Sequence, residues 1–355
     1  MMIAVLPGDG VGPEVMRAAV EVLRAVRPEL ACEHGLVGGA ALTAGLPALP
    51  EATRAICERS EAILFGSVGL PEYENKPLQE RPEYALFLLR RDYELFANIR
   101  PVRVFAGLEA ASSLKAELVH GLNLVVVREL TGGIYYGQPK ERRVVDGIES
   151  AIDTMIYRAP EIERIARVAF DLARDRRKKL TSVDKQNILE TSRLWREVVG
   201  RTAVDYPDVS LEHLLVDNAA MQLVRRPADF DVIVTENMFG DILSDEAGIL
   251  TGSIGTLPSA SLGTRRTARG QFGLYEPIAG TAPDIAGRGI ANPTAAILSA
   301  ALLLRHSLGD ESSAARIEAA VEAAYAAGAR TAELARAGEP PLSTGAFTQR
   351  VIAEL

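Results

Sequence analysis

Cysteine is nearly missing from this chain. Two residues, Cys32 and Cys57, among 355 are too few for a disulfide framework and suit a reducing compartment, so a cytoplasmic location is expected. No apolar run is long enough to cross a bilayer. Met1 leads straight into a strand-like segment with none of the pattern of a secretory leader. No membrane partner is expected. Positive charge is short as well: the formal net charge is −8, which argues against nucleic acid as a partner. It does not exclude small anions, because a local arginine cluster outweighs a global field. Internal repeats are absent. Apolar residues are plentiful at 48%, enough to bury a large core over a length that suits two domains.

Strand-like and helix-like segments alternate, which predicts an α/β fold. "MIAVL", "EAILFGSVG", "NLVVVREL", "TSVDK" and "FDVIVTEN" read as strands. "PEVMRAAVEVLRAV", "APEIERIARVAFDLARDRRKK", "GDILSDEAGIL", "TAAILSAALLLRHSL" and the alanine-rich stretch Ser313 to Arg336 read as helices. Loops are expected near Pro71–Pro82 and across Gly263–Gly273. The basic run Arg174 to Lys179 reads as the solvated C-terminal end of a helix, where cations suit the dipole. No linker marks a domain boundary.

The opening "AVLPGDGVGPEV" runs from a strand through a glycine turn into a helix. A dinucleotide fingerprint has glycine at its first, third and sixth places. Gly8 and Gly10 fit, but the sixth place is Pro13, a residue suited to the first helical turn. Glu33 stands at about the spacing of a ribose-binding acid. From the residues alone, both a pyrophosphate site and a tight turn stay open.

Three further stretches carry chemistry. In "TENMFGDILSDEAG", Asp241 and Asp245 are four residues apart on an expected helix, so both carboxylates project from one face. A divalent cation relieves such repulsion, and Mg²⁺ typically takes one or two carboxylates. Asp217, in "LLVDNAAM", is a possible third ligand. Arg90, Arg100 and Arg128 form the basic set. Arg128 ends a buried-looking strand, where an unpaired charge is expensive, and guanidinium groups grip carboxylates bidentately. Either internal salt bridges or a small polycarboxylate ligand satisfies them. Lys185 in "TSVDKQN" and Tyr135 in "ELTGGIYYGQP" are candidate proton carriers.

Together, "LPGDGVGPEV", "FGSVG", "RELTGGIYYGQP", "SVDKQN", "FGDILSDEAG", "LPSASLG" and "GTAPDIAGRGIANPTAAI" resemble, in order and over essentially the whole chain, the β-decarboxylating hydroxyacid dehydrogenases, the isopropylmalate and isocitrate dehydrogenase family. The resemblance implies that family's two-domain α/β fold rather than a Rossmann fold. One domain would span 1–99 and 252–355 with the cofactor loop. A second, 100–251, would carry the contacts of a homodimer, with the active site in the cleft between them. The opening glycines would then not be the nucleotide site. That role passes to Gly280, Thr281, Ala282, Asp284, Ile285 and Asn292. Asp284 would accept hydrogen bonds from ribose hydroxyls and repel a 2′-phosphate, which implies NAD. Arg90, Arg100 and Arg128 would hold malate carboxylates. Asp217, Asp241 and Asp245 would bind Mg²⁺ or Mn²⁺, with Asp217 and Lys185 reaching in from the neighbouring subunit. Lys185 would help take the hydroxyl proton. Tyr135, rather than the adjacent Tyr136, would protonate the enol.

The segment "RPEYALFLLR", with Glu83, Leu86 and Phe87, should line the substrate pocket together with Ile188. These residues make the pocket apolar, and with that the resemblance implies a 3-alkylmalate, first of all 3-isopropylmalate, on the route to leucine. Phe87 and Ile188 stand where leucine and valine are usual, which leaves open an altered alkyl or aromatic preference. Tartrate and homoisocitrate fit less well. A catalytically dead binding protein, or a metal-independent Rossmann 2-hydroxyacid dehydrogenase, are the readings outside the family.

Overall fold

A computed structural model describes every residue except Ala337. The chain forms two compact units. The first comprises Met1–Leu95, Arg103–Ala116 and Gly248–Leu355; the second comprises Phe96–Val102 and Glu117–Ala247. The strands in chain order are β1 (Met2–Gly8), β2 (Ala31–His34), β3 (Ile63–Ser67), β4 (Ala97–Arg103), β5 (Asn123–Glu129), β6 (Lys140–Val145), β7 (Ile148–Asp153), β8 (Lys179–Asp184), β9 (Ser210–Leu215), β10 (Val232–Thr235), β11 (Pro258–Arg266) and β12 (Gln271–Pro277).

In the first unit the strands run β2-β1-β3-β12-β11. β1 is parallel to β2 and β3, β12 is parallel to β3, and β11 returns antiparallel to β12. Helix Gly12–Val26 follows β1, with Pro13 in its first turn and Val15, Ala19, Val22 and Val26 on its buried stripe. Helix Tyr84–Asp92 buries Ala85 and Leu89 in the core beside Leu6, Phe65 and Leu274. That register leaves Leu86, Phe87 and Arg90 outside the fully buried stripe.

In the second unit the order is β4-β5-β10-β8-β9, with β5, β10, β8 and β9 mutually parallel. β5 and β10 read as near-continuous apolar runs because they are covered on both faces, whereas β8, equally buried, carries Thr181, Ser182 and Asp184. β6 and β7 form a separate antiparallel hairpin, exposed along most of its length. Among the described residues no helix is long and apolar enough to cross a membrane.

Three local expectations are corrected. Gly263–Gly273 is no loop: β11 continues to Arg266 and β12 begins at Gln271. Arginines obscure the periodicity there because the hairpin tip leaves the core, and Arg265 instead caps the Phe272 ring at 4.4 Å. The alanine-rich helix stops at Ala326, just before Gly328, not at Arg336. The basic run is not merely solvated. Arg176 and Arg177 both pair with the buried Asp231, and Arg174 pairs with Asp208 at 2.8 Å.

His306 closes helix Thr294–His306 beside Arg305. Burial, with the Arg305 charge adding to it and Glu311 opposing, pushes its imidazole down from 6.5 to about 4. The folded state therefore binds fewer protons than the unfolded state in that window. The stability this group supports is complete above 6.5 and is lost as pH falls towards about 4. The midpoint of thermal unfolding is expected to drop across this interval, and His306→Gln is expected to flatten that limb in a pH series.

Candidate active site

The centre of the site is an arginine at the end of a buried strand. After exposed Asn123, β5 is apolar and buried up to Arg128, which is only 4% exposed. Its Nε donates to Asn237 Oδ1 at 2.9 Å, and its Nη1 donates to Asp241 Oδ1. The helix that supplies both partners, Asn237–Ile249, follows directly from β10, the neighbour of β5. Strand order thus sets the guanidinium against the start of that helix.

Arg100, on β4, comes to the same helix. Its Nη1 donates to Ser244 Oγ at 2.7 Å and to Asp245 Oδ1 at 3.1 Å, its Nη2 lies 3.7 Å from Asp241, and its Nε donates to Asn98 at 2.7 Å. Asp241 and Asp245 do share a helix face, and two guanidinium groups compensate their charge. Tyr135 completes the cluster: its hydroxyl donates to Asp241 Oδ2 at 3.2 Å, and its ring lies 5.8 Å from the Arg128 guanidinium. Burial, then the Asp241 charge, raises its pKa above the ordinary phenol value. The phenol therefore keeps its proton at neutral pH and is available as a donor.

The carboxylate pair fits a hard divalent cation. The Asp241 and Asp245 side chains are 35% and 68% exposed, so both keep solvent-facing oxygens, and two carboxylates with water and ligand oxygens are an ordinary Mg²⁺ shell. Asp217 does not join them. It pairs with Lys185, whose Nζ is 2.9 Å away, and that hydrogen bond holds its carboxyl below the usual range. No three acidic, histidine or cysteine side chains converge as a metal group among the described residues. Ile188, 67% exposed, follows Lys185.

The remaining predicted residues lie in the first unit. Arg90 pairs with Glu276 at 3.0 Å. Phe87 is stacked on Tyr84, ring centroids 5.9 Å apart, and Leu86 leans on the core. The loop from Gly280 to Asn292 is irregular and tied to the opening glycine turn. Val11 N–H donates to Thr281 O at 2.8 Å. Gly10, at φ +57°, lies so close that a Cβ would sit 2.0 Å from that oxygen. Glu14 accepts the N–H groups of Gly289 and Ala291 and the hydroxyl of Thr344. Gly69 packs between the Glu83 carboxylate and Thr281. Asp284 stands exposed on this loop, next to half-buried Ile285 and two residues after Ala282, whose φ is +39°. The Asn292 side chain is turned inward, donating to Glu333 at 2.9 Å and accepting from Thr294 N–H. An exposed carboxylate on a pinned loop fits the ribose end of a nucleotide. Leu70 fills the space over Gly39.

Sequence reasoning missed Asn98, Asn237, Ser244 and Gly240. The last three lie inside "TENMFGDILSDEAG", and only Ser244, a small polar residue between Asp241 and Asp245, offered a signal.

Two buried arginines on neighbouring strands, facing two carboxylates of one helix and a phenol, form a charged cluster of the kind that suits a small polyanionic ligand. The chain belongs to the isocitrate/isopropylmalate dehydrogenase family, whose model matches residues 2–352. It is 56% identical over 354 residues to a 3-isopropylmalate dehydrogenase of Geobacillus kaustophilus, covering 98% of this chain and 94% of that one. With a 3-isopropylmalate dehydrogenase of Priestia megaterium it shares 55% identity, covering 99% and 95%. Isocitrate dehydrogenase from Methylococcus capsulatus superposes with a TM-score of 0.86 at 36% identity, covering 99% and 98%.

Gly240 faces Arg128: a Cβ there would sit 2.7 Å from Cγ and 2.8 Å from Cβ of the arginine, near its rigid base. Gly240→Ala is therefore expected to displace the guanidinium. Overpacking of this kind costs on the order of 1–3 kcal/mol. The expected result is a lowered unfolding midpoint together with a rise in KM for the anionic substrate but not for the nucleotide.

Proposed function

We propose that this chain catalyses the NAD-dependent oxidative decarboxylation of 3-isopropylmalate to 4-methyl-2-oxopentanoate in leucine biosynthesis, as a homodimer using Mg²⁺ or Mn²⁺. The observation that carries the reading is the cluster of Arg100, Arg128, Tyr135, Asp241 and Asp245, in a chain whose relatives of that name match it nearly end to end.

The loop carrying Asp284 would hold NAD⁺, which would supply the hydride acceptor, and Asp241 and Asp245 would hold a divalent cation, which would supply positive charge against the developing oxyanion. The chain's own residues do the rest. Arg100 and Arg128, with Arg90, hold the two carboxylates. Lys185 accepts the proton of the C2 hydroxyl as that carbon is oxidised to a ketone. The bond from C3 to its carboxylate then breaks, carbon dioxide leaves, and the electron pair remains as the enolate. Tyr135 delivers a proton to C3. Lys185 and Asp217 act from the second copy of the chain, which agrees with Asp217 pairing with Lys185 rather than with Asp241 and Asp245.

Apolar Leu86, Phe87 and Ile188 favour an alkyl substituent on C3, each buried CH₂ being worth about 0.8 kcal/mol, and leave an isocitrate carboxylate unpaired. Phe87 already stacks on Tyr84, which supports a pocket that repacks around isopropyl. Asp284 supports NAD over NADP.

The test is NADH formation with Mg²⁺ or Mn²⁺ across 3-isopropylmalate, other 3-alkylmalates, 3-benzylmalate, isocitrate and tartrate. Isopropylmalate is expected to lead, with NAD⁺ preferred, and Phe87→Leu is expected to leave the ranking unchanged. Another malate faster by tenfold, about 1.4 kcal/mol in transition-state binding, would defeat the assignment. Asp284→Lys is expected to shift the NAD⁺/NADP⁺ ratio of kcat/KM towards NADP⁺ by about tenfold, about 1.4 kcal/mol, and an unmoved ratio would remove Asp284 from the cofactor site.

A further inference from the structure

Behind the cluster lies a buried polar network. Asn237 is fully buried, and its side chain makes three hydrogen bonds to two different parts of the site. Oδ1 accepts from Arg128 Nε at 2.9 Å. Nδ2 donates to the carbonyl oxygens of Leu130 at 3.1 Å and Gly132 at 3.0 Å. The Arg128 N–H is a donor and the two carbonyls are acceptors, so this orientation of the amide alone satisfies all of them. The carbonyls belong to the turn that leads into Gly133–Tyr135. One amide therefore ties the substrate-facing guanidinium to the loop that carries the tyrosine.

The anchor of that amide is also built. Asn237 N–H donates to Tyr157 Oη at 2.9 Å, and Tyr157 Oη donates to Glu236 Oε2 at 3.3 Å. Glu236 in turn caps the start of the helix, accepting from Phe239 N–H at 2.7 Å and Met238 N–H at 3.1 Å. The Tyr157 ring packs against Gly132 and Gly133. Buried Glu129 also accepts from Gly132 N–H at 2.7 Å and from the Thr131 hydroxyl at 2.8 Å. The turn before Tyr135 is thus held by Asn237, Tyr157 and Glu129, all of them buried.

We propose that Asn237 is a positioning residue that sets two functions at once, malate affinity through Arg128 and proton delivery through the Tyr135 loop, with Tyr157 fixing it from behind. The inference rests on the reaction proposed above. It separates into two halves because the amide has two ends. Asn237→Asp keeps an oxygen for Arg128 and loses both donors to the loop. Asn237→Ala loses everything.

The experiment uses the full-length enzyme. Calorimetry measures binding of 3-isopropylmalate with Mg²⁺ in the absence of nucleotide, and steady-state kinetics gives kcat and both KM values. A misplacement of this size is expected to cost about tenfold or more. Asn237→Ala should weaken malate binding and lower kcat, each by that order, with KM for NAD⁺ unchanged. Asn237→Asp should keep the malate affinity of the parent and lose kcat alone. Tyr157→Phe, which keeps the ring, should follow Asn237→Asp in milder form, and it decides the matter if the Asn237 variants do not fold. Parent-like kcat and affinity in these variants would overturn the proposal. So would losses equal in Ala and Asp that track only the folded fraction. If the parent enzyme binds the malate without turning it over, the reaction is wrong, and the calorimetric contrast between Ala and Asp still decides the Arg128 half.

Discussion

Arg128 is the group on which the site depends. A guanidinium taken out of water is tolerated only where its donors are met and its charge is balanced. Here the balance comes from one helix, through Asn237 at its start and Asp241 one turn later. That requirement fixes the helix against β5, and fixing the helix fixes Asp245, which sits one further turn along on the same face. Arg100 then has a place to dock from β4. The absence of a side chain at position 240 is part of the same constraint, because the arginine stem occupies that space.

The first unit follows a parallel logic with backbone in place of charge. The glycine turn after β1 packs on the loop around Thr281. It brings the chain close enough for Val11 to hold Thr281, while Glu14 holds Gly289, Ala291 and Thr344. The stretch most suggestive of a nucleotide site thus serves the loop that carries Asp284. Asp9 is committed in the same way, accepting from the N–H groups of Gly39, Ala40 and Gly69.

Much of this was legible beforehand. Continuous apolar runs disclosed the central strands, and the four-residue spacing of Asp241 and Asp245 disclosed a shared helix face. Arg128 was singled out because a charge at the end of "NLVVV" needs partners. What stayed hidden has physical causes. β4, β9, β11 and the β6–β7 hairpin are half-exposed or carry arginines, so their alternation is broken. Asn237 gave no signal, since an asparagine before a helix reads as an ordinary cap, and only tertiary pairing shows its side chain bridging a strand and a loop. The basic run after "DLARD" looked solvated because its counter-charge, Asp231, is distant in sequence. Lys185 and Asp217 were candidates from the residues, and their action across two copies of the chain came through the resemblance. One chain shows them as a pair and no more.

In the proposed reaction the arginines hold a dicarboxylate whose hydroxyl is oxidised and one of whose carboxylates is released. The most direct test of that sequence is stoichiometry: 3-isopropylmalate labelled in the carboxylate on C3, incubated with the enzyme, NAD⁺ and Mg²⁺, with NADH and labelled carbon dioxide measured together. The account predicts one labelled carbon dioxide for each NADH. NADH formed without release of the label, or no NADH from this substrate at all, would contradict it.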